Sequence, residues 1–320
     1  MTGTSVVVLG ATGFLGRHLC DAFETAGARV TAVSRGLCGG SAPPSAQRRE
    51  HLDPLREPPD RLTRLLDDVA ADTVVNAAGQ LWGATPEQQE AANADLVGLL
   101  LDAVAAAPRR PRLVQLGTVH EYGPGTDRRP FAEDHPPQPD TTYGRTKLRA
   151  ARTVLDAVEA SGTDGVVLRI SNVCGAGAPA GSLLGFLAAR LTAHRGRPGP
   201  MELDLPPATA WRDFVDARDV ADAVVACARA PRARVAGRVV NVGSGRAVLV
   251  EDVVNRLVEL SGVQVRRTAA AAPVPSAGRG GSANSAAAWQ ALDVTLAEQL
   301  LQWRPRRGLD DSLRSLLAGV

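Results

Sequence analysis

A run of apolar, mostly β-branched residues, Ser5-Val6-Val7-Val8-Leu9, stops at Gly10, and the chain then reads Gly10-Ala-Thr-Gly13-Phe-Leu-Gly16. From Thr12 onward apolar residues recur at helical spacing (Leu15, Leu19, Ala22, Phe23) until Gly27, a helix stop signal. A continuous apolar run of this length is how a parallel strand buried on both faces reads. A second follows in Arg29-Val30-Thr31-Ala32-Val33. Strand, helix and strand within about 30 residues form a βαβ unit, with parallel strands and a right-handed crossover. In that setting the glycines permit a tight turn and let the backbone approach a pyrophosphate seated on the helix N-terminal amides. Outside it, the same pattern would be an ordinary glycine-rich turn.

The alternation continues through Thr73-Val74-Val75-Asn76, a long helix through Leu96-Val97-Gly98-Leu99-Leu100 and the strand Arg112-Leu113-Val114-Gln115-Leu116. A helix over about 143–161 and the strand Gly165-Val166-Val167-Leu168-Arg169-Ile170 follow. The fold class is therefore expected to be α/β, a doubly wound parallel (Rossmann) sheet. After Gly175 the texture changes to Gly/Pro/Ala-rich connections with short helical pieces, which predicts a smaller C-terminal α/β substrate-binding cap over the sheet's carboxyl edge. Arg238-Val239-Val240-Asn241-Val242 returns to the main fold. The expected partition is a nucleotide-binding domain of residues 1–174 plus about 211–246, and a cap of about 175–210 plus 247–320. A length of 320 residues suits one large domain carrying a smaller one. Residues 269–288 are low in complexity and read as a long surface loop or a partly disordered segment.

With 44% hydrophobic and 22% charged residues the composition is that of a soluble globular protein. Lys+Arg 36 against Asp+Glu 34 leave a formal charge of +2, and the basic residues are scattered, so nucleic acid is not an expected partner. Cys20, Cys38, Cys174 and Cys227 form no CxxC pair and, with five scattered histidines, give no metal-ligand spacing, so no metal is expected. No apolar run reaches the roughly 18 residues of a membrane span and no signal-peptide pattern opens the chain, which predicts a cytoplasmic protein without a membrane partner. All the basic residues are arginine except Lys147.

An NAD site usually places an acidic residue at the end of the second strand, to grip the ribose hydroxyls. Here that place reads Val33-Ser34-Arg35. A guanidinium and a hydroxyl suit a 2′-phosphate better than a free diol, which points to NADP(H). The alternative is that Arg35 is one more surface arginine.

Taken in order, these and further motifs resemble the extended short-chain dehydrogenase/reductase family, which holds nucleotide-sugar epimerases, dehydratases and ketoreductases. The resemblance covers nearly the whole chain. It includes Asp53 after Leu52, Asn76-Ala77-Ala78-Gly79, Asn93, and Thr118 in Gly117-Thr-Val-His-Glu-Tyr-Gly123. It continues with Tyr143-Gly-Arg-Thr-Lys147, Leu168-Arg-Ile-Ser-Asn-Val-Cys-Gly175, Arg212-Asp-Phe-Val-Asp216 and Asn241-Val-Gly-Ser-Gly245. It implies a cofactor site built from Gly10, Thr12, Gly13, Phe14, Leu15, Gly16, Ser34, Arg35, Asp53, Ala77, Ala78, Gly79, Asn93, Tyr143, Lys147 and Ile170. It implies a substrate side of Leu81, Trp82, Val119, His120, Asn172 and Arg212, the last holding the substrate diphosphate.

Tyr143 and Lys147, four residues apart, share one face of a helix. An ammonium beside a phenol favours the phenolate and is expected to lower a pKa that starts near 10. The chain has two tyrosines and one lysine, so this placement is no common accident. Thr118, after a strand's carboxyl end, has a hydroxyl able to donate to a carbonyl oxygen; the bland alternative is a turn or cap threonine. Arg212 could equally pair with Asp213 or Asp216, and Trp82 could equally be core. Cys174, where the family often has an aromatic residue, reads as packing.

In the family's 4,6-dehydratases an Asp-Glu pair follows the threonine; here Val119 and His120 stand there, and valine cannot transfer a proton. His120 reads as a pocket residue, with a second proton carrier as the alternative. The segment from Leu116 to Lys147 looks most like NADPH-dependent 4-ketoreductases acting on nucleotide-linked, dTDP-type 4-keto-deoxyhexoses. In that reading Tyr143 gives the proton, Lys147 holds the ribose, and Thr118 polarises the carbonyl. A nucleotide-sugar epimerase with retained NAD(P) is the alternative within enzymes, and a non-catalytic NADP-sensing protein the alternative outside them. The helices around 96–104 and 148–158 carry extra apolar surface, and the resemblance implies that such helices pair into a four-helix interface of a homodimer.

Overall fold

Every residue of β1 (Ser5–Leu9) is buried, and the alternation of its side chains divides the core. Val6 and Val8 face one helical layer while Val7 and Leu9 face the other, as a strand sandwiched on both sides requires. The structure is a computed structural model describing residues 1, 3–36, 46–125, 127–268 and 289–319. Cys38 and the low-complexity stretch of 269–288 lie outside the described residues.

After β1 come α1 (Phe14–Thr25), β2 (Arg29–Ser34), β3 (Arg48–His51), α2 (Asp60–Asp68) and β4 (Thr73–Asn76). Next are α3 (Pro86–Glu90), α4 (Leu96–Ala106), β5 (Arg112–Thr118), α5 (Thr142–Ser161) and β6 (Gly165–Ile170). The remainder runs β7 (Asn172–Cys174), α6 (Leu183–His194), β8 (Met201–Asp204), β9 (Trp211–Asp216), α7 (Ala217–Arg229), α8 (Arg232–Val235) and β10 (Val239–Val242). It closes with β11 (Ala247–Leu249), α9 (Val250–Ser261), β12 (Val265–Thr268), β13 (Trp289–Gln290), α10 (Thr295–Leu301) and α11 (Leu309–Ala318).

The main sheet has seven parallel strands in the order β10-β6-β5-β4-β1-β2-β3. The strand order reverses direction between β1 and β4, which opens the ligand crevice of such sheets at their carboxyl ends. α1 and α7 cover one face; α2, α4 and α5 cover the other. A smaller sheet of β11, β9 and β13, with β7 also on β9, and a parallel β8–β12 pair lie beside a third apolar cluster built from α6, α9 and α11.

Two placements differ from the sequence reading. β9, grouped above with the nucleotide-binding part, joins the smaller sheet. Residues of α10 and Trp303, grouped with the cap, pack into the main core beside α7: Ala297 and Leu301 share its cluster, and the Trp303 indole donates to the Asp219 carbonyl at 3.0 Å. Many apolar residues of the helices at 96–104 and 148–158 pack inside the chain itself. Leu96, Val97, Leu100, Val104, Leu148 and Val154 are buried, while Leu99, Leu155 and Val158 of the same helices are half-exposed. No helix among the described residues is long and apolar enough to cross a membrane.

Candidate active site

The turns after β1 and β4 touch across the crevice. Gly10 has φ +74°, and a Cβ there would lie 2.8 Å from the Ala77 carbonyl oxygen and the Ala78 nitrogen. A Cβ on Gly16 would overlap the Gly10 carbonyl oxygen, so the first turn of α1 sits hard against the loop before it. α1 begins with no side-chain cap and no acidic residue, whereas α5, α6 and α7 are capped by Thr141, Ser182 and Asp216. A helix start left this way, behind a glycine cradle, fits the phosphates of a dinucleotide. Thr12, Phe14 and Leu15 border the cradle, half-buried.

Asn76 shapes the facing wall. Its Nδ2 donates to Gln115 Oε1 at 2.8 Å and its Oδ1 accepts from Ala78 N–H at 3.2 Å, which holds the 77–79 turn. Asn93 lies in a π-helical turn (Ala91–Asp95) between α3 and α4, a local irregularity often found at functional sites. It is buried, and its amide is engaged by protein: Oδ1 accepts from Gln80 N–H (2.8 Å), and Nδ2 donates to Gln80 O (2.9 Å) and Thr146 Oγ1 (3.1 Å). Asn93 thus ties the loop after Gly79 to the helix turn that carries Lys147. Ser34 and the exposed Arg35 end β2, and the Leu52 N–H donates to Ser34 O at 3.0 Å, so Asp53 stands on the same rim. The Asp53 carboxylate accepts from Leu55 N–H at 3.2 Å.

Thr118 ends β5 directly beside Ile170 of β6. Its Oγ1 caps the turn Val119–Glu121, accepting from His120 N–H at 3.4 Å, as the turn-or-cap reading expects, and its hydroxyl also hydrogen-bonds Tyr143. Tyr143 and Lys147 project from the first turns of α5, with Lys147 buried. The expected lowering of Tyr143 by Lys147 is corrected here. Burial pushes the phenol up to about 12, with the Glu121 carboxylate adding and the Thr118 hydrogen bond opposing. The same burial pushes the Lys147 ammonium down to about 8, against Glu121. Four-residue spacing shows a shared face but not the depth of that face, and desolvation outweighs the pairing. Tyr143 is a phenol at neutral pH and therefore a proton donor.

His120 stands edge-on to Tyr143. Burial pushes its imidazole down to about 4, with Arg212 adding and Asp140 opposing, so the ring is neutral at physiological pH. Arg212 sits on the His120 side of the site, and its guanidinium donates to the Trp211 carbonyl at 2.9 Å. Asp213 gives Oδ1 to Ser244 N–H and Oγ–H and Ser171 Oγ–H, and Oδ2 to Gly245 and Leu292 N–H, while Asp216 holds Arg218. Asn172 donates to the Asp213 carbonyl at 3.0 Å, which sets it on the strand next to Arg212. Trp82, 38% exposed, lies against Gly181 of the loop before α6, and Leu81 is fixed by Gln89 Nε2 on its carbonyl at 3.1 Å. Val119, expected in the substrate pocket, is instead buried with Tyr122, Phe131 and Leu292 in a small core of its own. Cys174 is packed, its thiol pushed up to about 12 by burial with Asp216 adding.

Sequence reasoning quoted Glu121 within a motif and assigned it no role. Its side chain is fully buried, accepts from Thr118 N–H at 2.8 Å and pairs with Arg169 Nε at 2.7 Å. The signal was present: Arg169 interrupts an otherwise apolar buried strand, and a buried guanidinium requires a buried acceptor.

The profile of the NAD dependent epimerase/dehydratase family matches residues 6–243. A dTDP-6-deoxy-L-talose 4-dehydrogenase (NAD(P)(+)) from Kitasatospora kifunensis is 45% identical over 314 residues, 97% of this chain and 94% of that protein. A UDP-glucose 4-epimerase from Azospirillum brasilense is 31% identical over 290 residues, 82% of this chain and 79% of that protein. Among solved structures, MoeE5 in complex with UDP-glucose and NAD is 28% identical with a TM-score of 0.78, covering 98% of this chain and 97% of that one. The glycine cradle, the switch-point crevice and the Thr118, Tyr143 and Lys147 cluster thus coincide with a match over most of the sequence, and the chain belongs to the NAD dependent epimerase/dehydratase family.

Proposed function

We propose that the protein is an NADP(H)-dependent oxidoreductase that reduces the 4-keto group of a nucleotide-linked, dTDP-type 4-keto-deoxyhexose. The observation that carries this reading is the cluster at the carboxyl edge of the sheet: Thr118 at the end of β5, hydrogen-bonded to Tyr143, with the buried Lys147 one turn further along α5. When bound, the reduced nicotinamide supplies the hydride. Gly10, Gly13, Gly16 and the first amides of α1 would hold the pyrophosphate, Ser34 and Arg35 a 2′-phosphate, and Lys147 the nicotinamide ribose. Thr118 and Tyr143 direct their hydroxyls at the carbonyl oxygen, and Tyr143 delivers the proton as the alkoxide forms. Arg212 would take the substrate diphosphate, and Asn172, His120 and Trp82 would line the sugar. Val119, buried and without a titratable group, leaves no acid–base pair for eliminating water.

Reduction of a 4-keto group and oxidation of a 4-hydroxyl are one reaction in two directions, so the 45% identical sugar 4-dehydrogenase supports this assignment. The 31% identical epimerase supports a second reading, in which cofactor is retained and the sugar is isomerised. The homodimer implied by the family resemblance would use the outer faces of α4 and α5, and sedimentation measures it directly. The test of function is NADPH absorbance with an enzymatically generated dTDP-4-keto-6-deoxyhexose, with NADH and Tyr143→Phe in parallel. Stoichiometric NADPH loss abolished by the variant establishes the reductase. Isomerised sugar without NADPH loss transfers the assignment to the epimerase.

A further inference from the structure

Three residues stand in register across adjacent strands just below the candidate active site: Gly117 of β5, Arg169 of β6 and Asn241 of β10. Gly117 has no side chain, and the space it leaves is taken by Glu121, whose Oε1 lies 2.5 Å from where a Gly117 Cβ would be. Glu121 therefore folds back under Thr118 and reaches Arg169 from above. The guanidinium of Arg169 also lies over the Tyr122 ring, 4.5 Å from its centroid, and the Tyr122 hydroxyl donates to Asn241 Oδ1 at 2.9 Å. Asn241 in turn donates to the carbonyls of Phe131 and Asp293. Each of these buried polar groups has a partner, so the network is rigid.

We propose that Glu121, clamped by Arg169, is a positioning residue of this site: it fixes the Thr118 backbone and supplies a buried negative charge behind the Tyr143–Lys147 pair. The inference deepens the proposed function and rests on Tyr143 and Lys147 being its working pair. The titratable and charged groups facing that pair are Glu121 and His120 from the 119–121 turn, with Arg212 and Asp140 acting on His120. Of these, Glu121 alone acts on both members, and for each it favours the protonated form. It thus favours the ammonium of Lys147 against the burial that disfavours it, and the proton on Tyr143.

Lys147 is the only lysine in the chain, so selective 13Cε-lysine labelling yields one lysine signal whose titration reads its charge without substrate or cofactor. Glu121→Gln keeps the shape and an acceptor for Thr118 N–H but removes the charge. The Lys147 midpoint, about 8 in the parent, is expected to fall by about one pH unit or more. The alkaline limb of kcat should move with it, and Glu121→Asp should restore both. A neutralised carboxylate leaves Arg169 buried without its counter-charge. If Glu121→Gln does not fold, the double variant Glu121→Gln/Arg169→Gln removes both charges together and is expected to lower the midpoint in the same direction by a smaller amount, since the Arg169 cation is gone too. An unchanged Lys147 midpoint in a folded variant overturns the proposal. Failure of the parent to bind cofactor or reduce a 4-keto sugar overturns the functional reading instead, and the lysine titration separates the two.

Discussion

The imidazole of His120 and the phenol of Tyr143 meet edge to face, ring centroids 6.0 Å apart and planes inclined at 71°. Under the proposed function, a neutral ring in that place lines the sugar pocket and leaves proton transfer to Tyr143. A general acid or base contributes about 10²–10⁴-fold, so His120→Asn is expected to raise KM for the sugar and leave kcat within about tenfold. A kcat loss of 100-fold or more, on the order of an acid–base role, would give His120 a proton-transfer role.

The same residue links stability to pH. Its folded midpoint is about 4, below the ordinary value of 6.5, so between these values the unfolded chain binds a proton that the folded chain does not. The stability contributed by neutral His120 is present above pH 6.5 and is lost as pH falls toward 4. Urea unfolding across that range should show a smaller acid loss for His120→Asn than for the parent; equal losses would contradict the depressed midpoint.

Tyr143→Phe removes the proton donor and little else. Reductive kcat is expected to fall by about 10²–10⁴-fold while the melting temperature stays near parental. In the parent, the rate should be level below about pH 8 and decline above it, as Lys147 loses its ammonium. A rate that rises through pH 8 would mean that a phenolate, not a phenol, is the working form of Tyr143.

The parallel sheet was legible because its central strands are continuous apolar runs; β1, β5 and β6 are buried along their whole length. β3 was not, because Arg48–His51 is a polar edge strand that among the described residues pairs only with β2 and carries no apolar pattern. α2 went unread between them, although Leu62, Leu65 and Leu66 give it a buried face. At the site, Thr118, Tyr143 and Lys147 were legible through local spacing. The Glu121–Arg169 pair spans 48 residues and forms only when β5 and β6 lie side by side. The family resemblance misjudged Val119 and local spacing the pKa of Tyr143, since both depend on what the folded chain buries.

Gly16 tests the cradle. A Cβ there meets the Gly10 carbonyl, which is backbone and cannot swing aside. Gly16→Ala is expected to cost about 1–3 kcal/mol of stability through overpacking, read as a lower urea midpoint, and to weaken dinucleotide binding measured by nucleotide fluorescence. Parental stability with parental binding would show that the turn relaxes at no cost, and that its close approach is unimportant to the cofactor.

Arg35 tests the choice between cofactors, which rests on two residues at the rim of β2. The exposed guanidinium and the Ser34 hydroxyl stand at the end of β2, where the proposed NADP(H) reading puts the 2′-phosphate, and no acidic side chain follows β2 immediately to take ribose hydroxyls. A charge-assisted hydrogen bond contributes about 1.5–3 kcal/mol, so Arg35→Ser should lower kcat/KM for NADPH by about 10- to 100-fold and leave NADH nearly unchanged. If both cofactors are affected alike, Arg35 is only a surface arginine of the loop, and the preference must be carried by another residue of the rim.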